Sequence, residues 1–306
     1  MRILITGGTG LLGKTLIEKG DSRYEIMATY LGSYGMKDTA RIKYKKLDIR
    51  DREGLRGLFG FFKPEAVIHT VSVGSPDFAE KNKEYTREVD VMGTGNILQG
   101  CNESGSKLVY ISSNGIYAGN KAPYAETDKA EPVNYYGKIK LESEKIVEKS
   151  GITHAIVRPI LLYGWNHHFE RQNIVTIALR KLLRNEIVNV YEDVICNPLL
   201  VNCCAEAVWR IIDREIYQVF NIGGQDIVNI YQLVETASEV FGLDSSLVKP
   251  VRQGFFKEMV KRPLNTSYLT DKMESVLGVI PLSIREGLEI MRKSTPKNLS
   301  EYLYGE

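Results

Sequence analysis

Thr6-Gly7-Gly8-Thr9-Gly10-Leu11-Leu12-Gly13 decides the reading of this chain. It follows a short apolar run, Arg2–Thr6, and opens a helix-like stretch, Leu11–Lys19. Gly7 permits a tight turn, Gly10 lets the backbone approach a pyrophosphate, and Gly13 allows the helix to pack closely. The start of the helix presents unpaired N–H groups and partial positive charge to phosphates. Thr9, Leu11 and Leu12 fall in the same cradle. A lone glycine triplet is weak, and its competing reading is a glycine-rich structural turn. Here it sits between strand and helix, as dinucleotide binding requires.

Working outward, strand-like runs recur at Glu25–Tyr30, Ile42–Leu47, Ala66–Thr70, Lys107–Ser112 and Thr153–Arg158. Helix-like stretches lie between them, chiefly Arg52–Phe62, Lys83–Ser104 and Tyr135–Ser150. Such alternation predicts an α/β fold: a Rossmann doubly wound parallel sheet with helices on both faces. After Gly164 the rhythm loosens. Helical spacing at Asn173–Arg184, Ala205–Asp213, Ile230–Phe241, Thr270–Leu277 and Ile284–Arg292 is mixed with strand-like Ile187–Tyr191 and Tyr217–Ile222. This part reads as a smaller C-terminal mixed α/β substrate lobe. The expected division is 1–164 for the dinucleotide-binding domain, with 200–228 returning to it, and 165–199 plus 229–306 for the lobe.

The end of the second strand bears on the choice of dinucleotide. NAD readers usually place an acid there, about 20 residues past the glycines, to bind the ribose 2′-OH. This chain has Thr29-Tyr30-Leu31 instead, with Lys37 and Arg41 downstream as candidates for a 2′-phosphate, although each alone reads first as a solvated loop charge. NADP(H) is therefore expected, with NAD(H) as the alternative. Asp48-Ile49 follow the third strand. They would meet the adenine, unless Asp48 only caps the helix starting at Arg52.

Tyr136 and Lys140 form the second signal. Four residues apart at a helix start, they share one face. A free phenol has a pKa of about 10, too high for proton transfer at neutral pH, and an adjacent ammonium lowers it. Tyr136 then becomes an acid for a carbonyl oxygen, and Lys140 can also hold the nicotinamide ribose. Neighbouring Tyr135 and Lys138 are decoys; four residues either side of Lys138 stand Asn134 and Glu142. The fifth strand ends in Ser112-Ser113, bringing hydroxyls to the carboxyl edge of the sheet, where ligands bind.

In order and on suitable elements, these features resemble the extended short-chain dehydrogenase/reductase family. That family carries Thr-Gly-x-x-Gly-x-x-Gly, a strand-end Ser/Thr and Tyr-x-x-x-Lys. The resemblance selects Ser113, four residues before the aromatic Tyr117, and implies a catalytic set of Ser113, Tyr136 and Lys140. Val157-Arg158-Pro159, Tyr163-Gly164 and Arg262-Pro263-Leu264-Asn265 extend the likeness along most of the chain. Within the family the chain looks most like the dTDP-4-dehydrorhamnose reductases, through Asp77-Phe78-Ala79-Glu80 and Asn197-Pro198-Leu199-Leu200-Val201. It departs at Asp90, where the family usually has Asn, whose amide donors Asp lacks, and at Tyr268 before Leu269.

The resemblance implies reduction of a nucleotide-linked 4-keto-6-deoxy sugar, with the proton from Tyr136. Two alternatives stand beside it. One is a nucleotide-sugar epimerase with bound NAD. The other is a non-catalytic cofactor-binding protein, like the regulatory subunit of methionine adenosyltransferase. A dehydratase fits less well: those relatives have Thr-Asp-Glu where this chain reads Ser113-Asn114-Gly115.

A formal net charge of +2 gives no field to attract nucleic acid or anionic membrane. No apolar run approaches the roughly 20 residues of a membrane helix. Cys101, Cys196, Cys203 and Cys204 show no metal spacing, and no metal is expected. They read as buried thiols of a cytoplasmic protein. A homodimer is implied by the resemblance alone. His69 reads as a packed strand-end histidine, and His167-His168 as a solvated loop. Trp165, Asn166 and Arg171 are candidate sugar or phosphate contacts.

Overall fold

The computed structural model describes residues 1–32 and 36–296; positions 297–306 of the expected lobe lie outside them. The chain begins with β1 (Arg2–Thr6), α1 (Leu11–Lys19), β2 (Glu25–Tyr30), β3 (Ile42–Lys46), α2 (Arg52–Phe62) and β4 (Ala66–His69). Next come α3 (Pro76–Lys81), α4 (Lys83–Arg87), a π-helical turn (Glu88–Met92), α5 (Gly93–Ser104), β5 (Lys107–Ile111), α6 (Tyr135–Glu148) and β6 (His154–Pro159). Beyond these lie β7 (Leu162–Tyr163), α7 (Ile174–Leu182), β8 (Val188–Tyr191), β9 (Ile195–Cys196), β10 (Leu199–Leu200), α8 (Val201–Arg214) and β11 (Val219–Ile222). β12 (Val228–Asn229), α9 (Ile230–Val240), β13 (Val248–Val251) and α10 (Ile284–Lys293) follow.

Seven parallel strands form the central sheet, in the order β11-β6-β5-β4-β1-β2-β3. Alternate residues of each inner strand face opposite layers. Ile3 and Ile5 of β1 join the α1 and α8 side, while Leu4 joins Leu55, Leu58 and Phe59 of α2 and Ile97 of α5. This two-sided burial is why the strands read as unbroken apolar runs. Strand order reverses between β1 and β4. That reversal opens a crevice at the carboxyl ends, directly over the glycine loop.

Several local features differ from the sequence expectation. The stretch Lys83–Ser104 is not one regular helix, because the π turn interrupts it. α8 starts at Val201, earlier than expected. α3 had no counterpart, although Ser75 before Pro76 is a start signal: the Ser75 side chain accepts from Phe78 N. Small strand pairs knit the remainder, with β13 beside β8, β12 beside β9 and β10 beside β7.

Candidate active site

The crevice is a cleft of about 990 Å³, within the range of small-ligand sites. Gly7, Thr9, Gly10, Leu11, Leu12, Asp48, Ile49, Ser113, Tyr136 and Lys140 all line it. Gly13 does not; it lies beneath. A Cβ there would overlap the Gly7 carbonyl oxygen, so α1 rests directly on the loop. Gly7 adopts φ +74°, a conformation that favours glycine. At Gly10 an added Cβ would meet only the Gly7 oxygen at 3.5 Å, and no side chain caps α1. Its first amides, which have no partner within the helix, are therefore left for a ligand. Bare backbone, an uncapped nine-residue helix and an adjacent cleft together fit the diphosphate of a dinucleotide.

Thr29, Tyr30, Leu31 and Gly32 line the cleft at the end of β2. Neither Lys37 nor Arg41 does. Arg41 is at the wrong end of the sheet: its carbonyl accepts from Ile26 N near the start of β2, and its Nη1 donates to the Asp21 carbonyl at 2.9 Å. Parallel pairing sends the chain back to the amino edge before β3 begins, which removes Arg41 from a 2′-phosphate. Asp48 is not the cap of α2 either. Asp51 is, accepting from Gly54 N, while Asp48 takes Arg50 Nη2 at 2.6 Å and Nε at 3.1 Å. Those hydrogen bonds hold the Asp48 carboxyl below its ordinary range.

Ser113 and Tyr136 both flank Gly115. A Cβ on Gly115 would lie 3.2 Å from the Tyr136 ring and 3.4 Å from Ser113 Oγ. Ser113 Oγ accepts from Gly115 N at 3.1 Å, starting a 3₁₀ turn over Asn114–Ile116. Asn134 caps α6 by accepting from Gly137 N at 3.0 Å, and its Nδ2 donates to the Lys261 carbonyl. Gly137 brings the two elements into contact, because a Cβ there would overlap the Gly115 oxygen. Ser112 lies beside Ser113, and its buried Oγ has no hydrogen-bond partner among the described residues.

Lys140 is almost wholly buried. Its Nζ donates to the Ile111 carbonyl at 2.9 Å, lies 4.7 Å from the centre of the Tyr110 ring and stands 3.8 Å from Asp90 Oδ1. Asp90, in the π turn, also accepts from Ser72 Oγ at 2.5 Å and Val73 N at 2.9 Å. The sequence showed Asp90 as a departure but not this convergence, which needs α6 and the loop after β4 on either side. His69 is fully buried between Thr6 Oγ1 at 2.6 Å and Thr94 Oγ1 at 3.1 Å. Burial, assisted by the Lys140 charge, pushes its pKa down to about 3.

The segment after β7 folds over the glycine loop. Trp165 and Asn166 turn inward: Trp165 Nε1 donates to the Met291 carbonyl at 2.7 Å, and Asn166 Nδ2 to the Arg171 carbonyl at 2.9 Å. They hold the segment rather than face the cleft. Arg171 lines the cleft and donates to the Gly74 carbonyl. Glu170, which the sequence reading overlooked, accepts from Thr9 Oγ1 at 2.5 Å. His167 and His168 do not line the cleft; both rings pack on Phe169.

The two motifs after β4 and in the tail join here. Arg262 Nη2 donates to Asp77 Oδ2 at 2.5 Å, and Glu80 Oε2 accepts from Tyr135 N at the start of α6. Asn197 Oδ1 accepts from Tyr268 N, and its Nδ2 donates to the Gly224 carbonyl. Beneath the site, Arg158 makes paired bonds to buried Glu144 at 3.0 and 2.7 Å and a third to Tyr117 Oη at 2.9 Å. Among the described residues, no cluster of His, Cys, Asp and Glu is arranged for a metal, and no helix is long and apolar enough to cross a membrane.

Comparison with known proteins adds the lineage. The rat protein named methionine adenosyltransferase 2 subunit beta (Rattus norvegicus) is 27% identical over 283 residues, covering 91% of this chain and 83% of the relative. A dTDP-4-dehydrorhamnose reductase of Aggregatibacter actinomycetemcomitans is 24% identical over 305 residues, covering 95% and 98% respectively. The crystal structure of dTDP-4-dehydrorhamnose reductase from Bacillus anthracis in complex with NADP superposes with a TM-score of 0.83 at 25% identity, covering 96% of this chain and 99% of that one. The RmlD substrate binding domain family matches residues 1–295. The chain belongs to that family, within the extended short-chain dehydrogenase/reductases.

Proposed function

We propose that this protein is an NADP(H)-dependent reductase of a nucleotide-linked 4-keto-6-deoxy sugar. The observation that carries the reading is the shared cleft: Ser113, Tyr136 and Lys140 line the same cavity as the bare glycine loop. The dinucleotide supplies a hydride when bound. Ser113 Oγ holds the substrate carbonyl oxygen, and Tyr136 Oη delivers a proton to it. Lys140 sets the charge beside the phenol and offers a donor to the ribose. Gly10 and the first amides of α1 take the diphosphate, and Asp48 and Ile49 flank the adenine. NADP(H) is favoured over NAD(H) because no acid stands among the described cleft residues at the end of β2, and because the B. anthracis relative is described with NADP. Among the described residues, 165–199 and 229–296 are assigned to the substrate lobe, over a domain of 1–164 and 200–228.

Calorimetry of NADPH against NADH, then NADPH oxidation with a dTDP-4-keto-6-deoxy sugar, tests this. Turnover that disappears in Tyr136→Phe is the expected result. The likeness to a methionine adenosyltransferase subunit favours a second reading, a cofactor-binding subunit of another enzyme. Cofactor binding without turnover across a panel of keto sugars, with co-purification of a larger enzyme, would replace the first reading with the second.

A further inference from the structure

Asp90 lies just behind the cleft wall formed by Ser72, Val73 and Lys140. Both Asp90 and Lys140 are 1% exposed, so their charges act through protein rather than water. The groups facing the Lys140 ammonium come from several elements. His69 of β4 is kept neutral by burial. Tyr110 of β5 presents its ring, and its hydroxyl is pushed well above its ordinary range by burial. Glu144, one turn along α6, is engaged by Arg158. Tyr136 precedes Lys140 on the same helix, with Arg171 in its neighbourhood across the cleft. Asp90 is thus the carboxylate placed against this ammonium without an arginine of its own. Ser72 Oγ–H and Val73 N–H donate to it, and the Lys140 ammonium stands 3.8 Å away as its ion-pair partner.

We propose that Asp90 determines which oxidation state of the nicotinamide cofactor the site prefers, by neutralising the Lys140 ammonium and so admitting the cationic oxidised ring. This rests on the reading above, that a nicotinamide dinucleotide binds with its ring at the Ser113–Tyr136–Lys140 end. The oxidised ring carries a positive charge and the reduced ring none. An unopposed buried ammonium would repel only the oxidised form. A carboxylate 3.8 Å from that ammonium, on the side away from the cleft, offsets part of the repulsion. Asp90 is therefore a specificity-determining residue that need not touch the ligand.

The test measures Kd by calorimetry for the oxidised and reduced forms of whichever cofactor, NADP(H) or NAD(H), binds more tightly. In Asp90→Asn the ratio of oxidised to reduced Kd is expected to rise about tenfold, an order-of-magnitude figure for one buried charge. Lys140→Met serves as the second variant, also if Asp90→Asn fails to fold. Loss of a ribose contact weakens both forms together, while the unopposed carboxylate moves the ratio in the opposite direction. A ratio that stays unchanged, or moves the same way in both variants, overturns the inference and leaves the cofactor reading standing. An unaltered protein that binds neither form of either dinucleotide overturns both.

Discussion

Gly137 of α6 and Gly115 of the turn after β5 meet backbone to backbone, with no room for a Cβ on Gly137. This contact sets the distance between Tyr136 and Ser113. The glycine between Tyr136 and Lys138 is thus as much a part of the site as the side chains that flank it.

Gly137→Ala should therefore separate Tyr136 from Ser113. A displacement of about 1 Å costs on the order of 100-fold in rate, and overpacking costs about 1–3 kcal/mol. Gly57 of α2 is the control, since a Cβ there meets nothing within 4 Å. Gly57→Ala should stabilise by about 0.5–1 kcal/mol and leave turnover intact. Steady-state kinetics and thermal melts of both variants check this.

Glu170 holds a carboxylate on Thr9, where the proposed diphosphate would bind. Like charges must separate before the ligand settles. Glu170→Gln should lower the Kd for NADPH by about three- to tenfold, and the gain should shrink in high salt. Calorimetry at two ionic strengths would show it; an unchanged Kd would mean that Glu170 does not oppose binding.

Arg158→Met would strand Glu144, which is 1% exposed, without its partner. Breaking a buried pair from one side costs about 3–5 kcal/mol. Lys107→Met breaks the more exposed pair with Glu215 and should cost under about 1 kcal/mol. Urea denaturation of the two variants separates the cases.

His69 predicts an acid limb in stability. Its folded pKa is about 3, against 6.5 when unfolded. Between those values the unfolded chain binds the proton and the folded chain does not. The contribution is thus present above pH 6.5 and lost as pH falls toward 3. The slope is about 1.4 kcal/mol per pH unit within that window. His69→Gln, which keeps a donor and an acceptor for Thr6 and Thr94, should lose that slope. Unfolding free energies between pH 4 and 7, compared across the two proteins, provide the check.

The central sheet was legible because its code is local. β1, β2 and α2 fall at the positions predicted from apolar runs, and β3, β4 and β5 end one residue early. The glycine loop was legible for the same reason, since each glycine answers to a nearby steric need. The π turn at Glu88–Met92 was not, because no residue type nearby marks a ladder that changes from i+4 to i+5. Arg41 takes its competing reading, a loop charge, because proximity in sequence to β2 says nothing about which edge of the sheet the chain has returned to.

The sequence by itself determined the strand–loop–helix that opens the fold, the alternation that builds the sheet, and the pairing of Tyr136 with Lys140 on one helix face. Each depends on residues a few positions apart, where backbone geometry alone decides the outcome. Only the tertiary structure decided that Asp90 faces Lys140, that Gly137 presses on Gly115, and that Glu170 reaches Thr9 from 161 residues away. Electrostatic and steric contacts act through space, so they become definite only once the packed sheet and helices have fixed where distant parts of the chain lie.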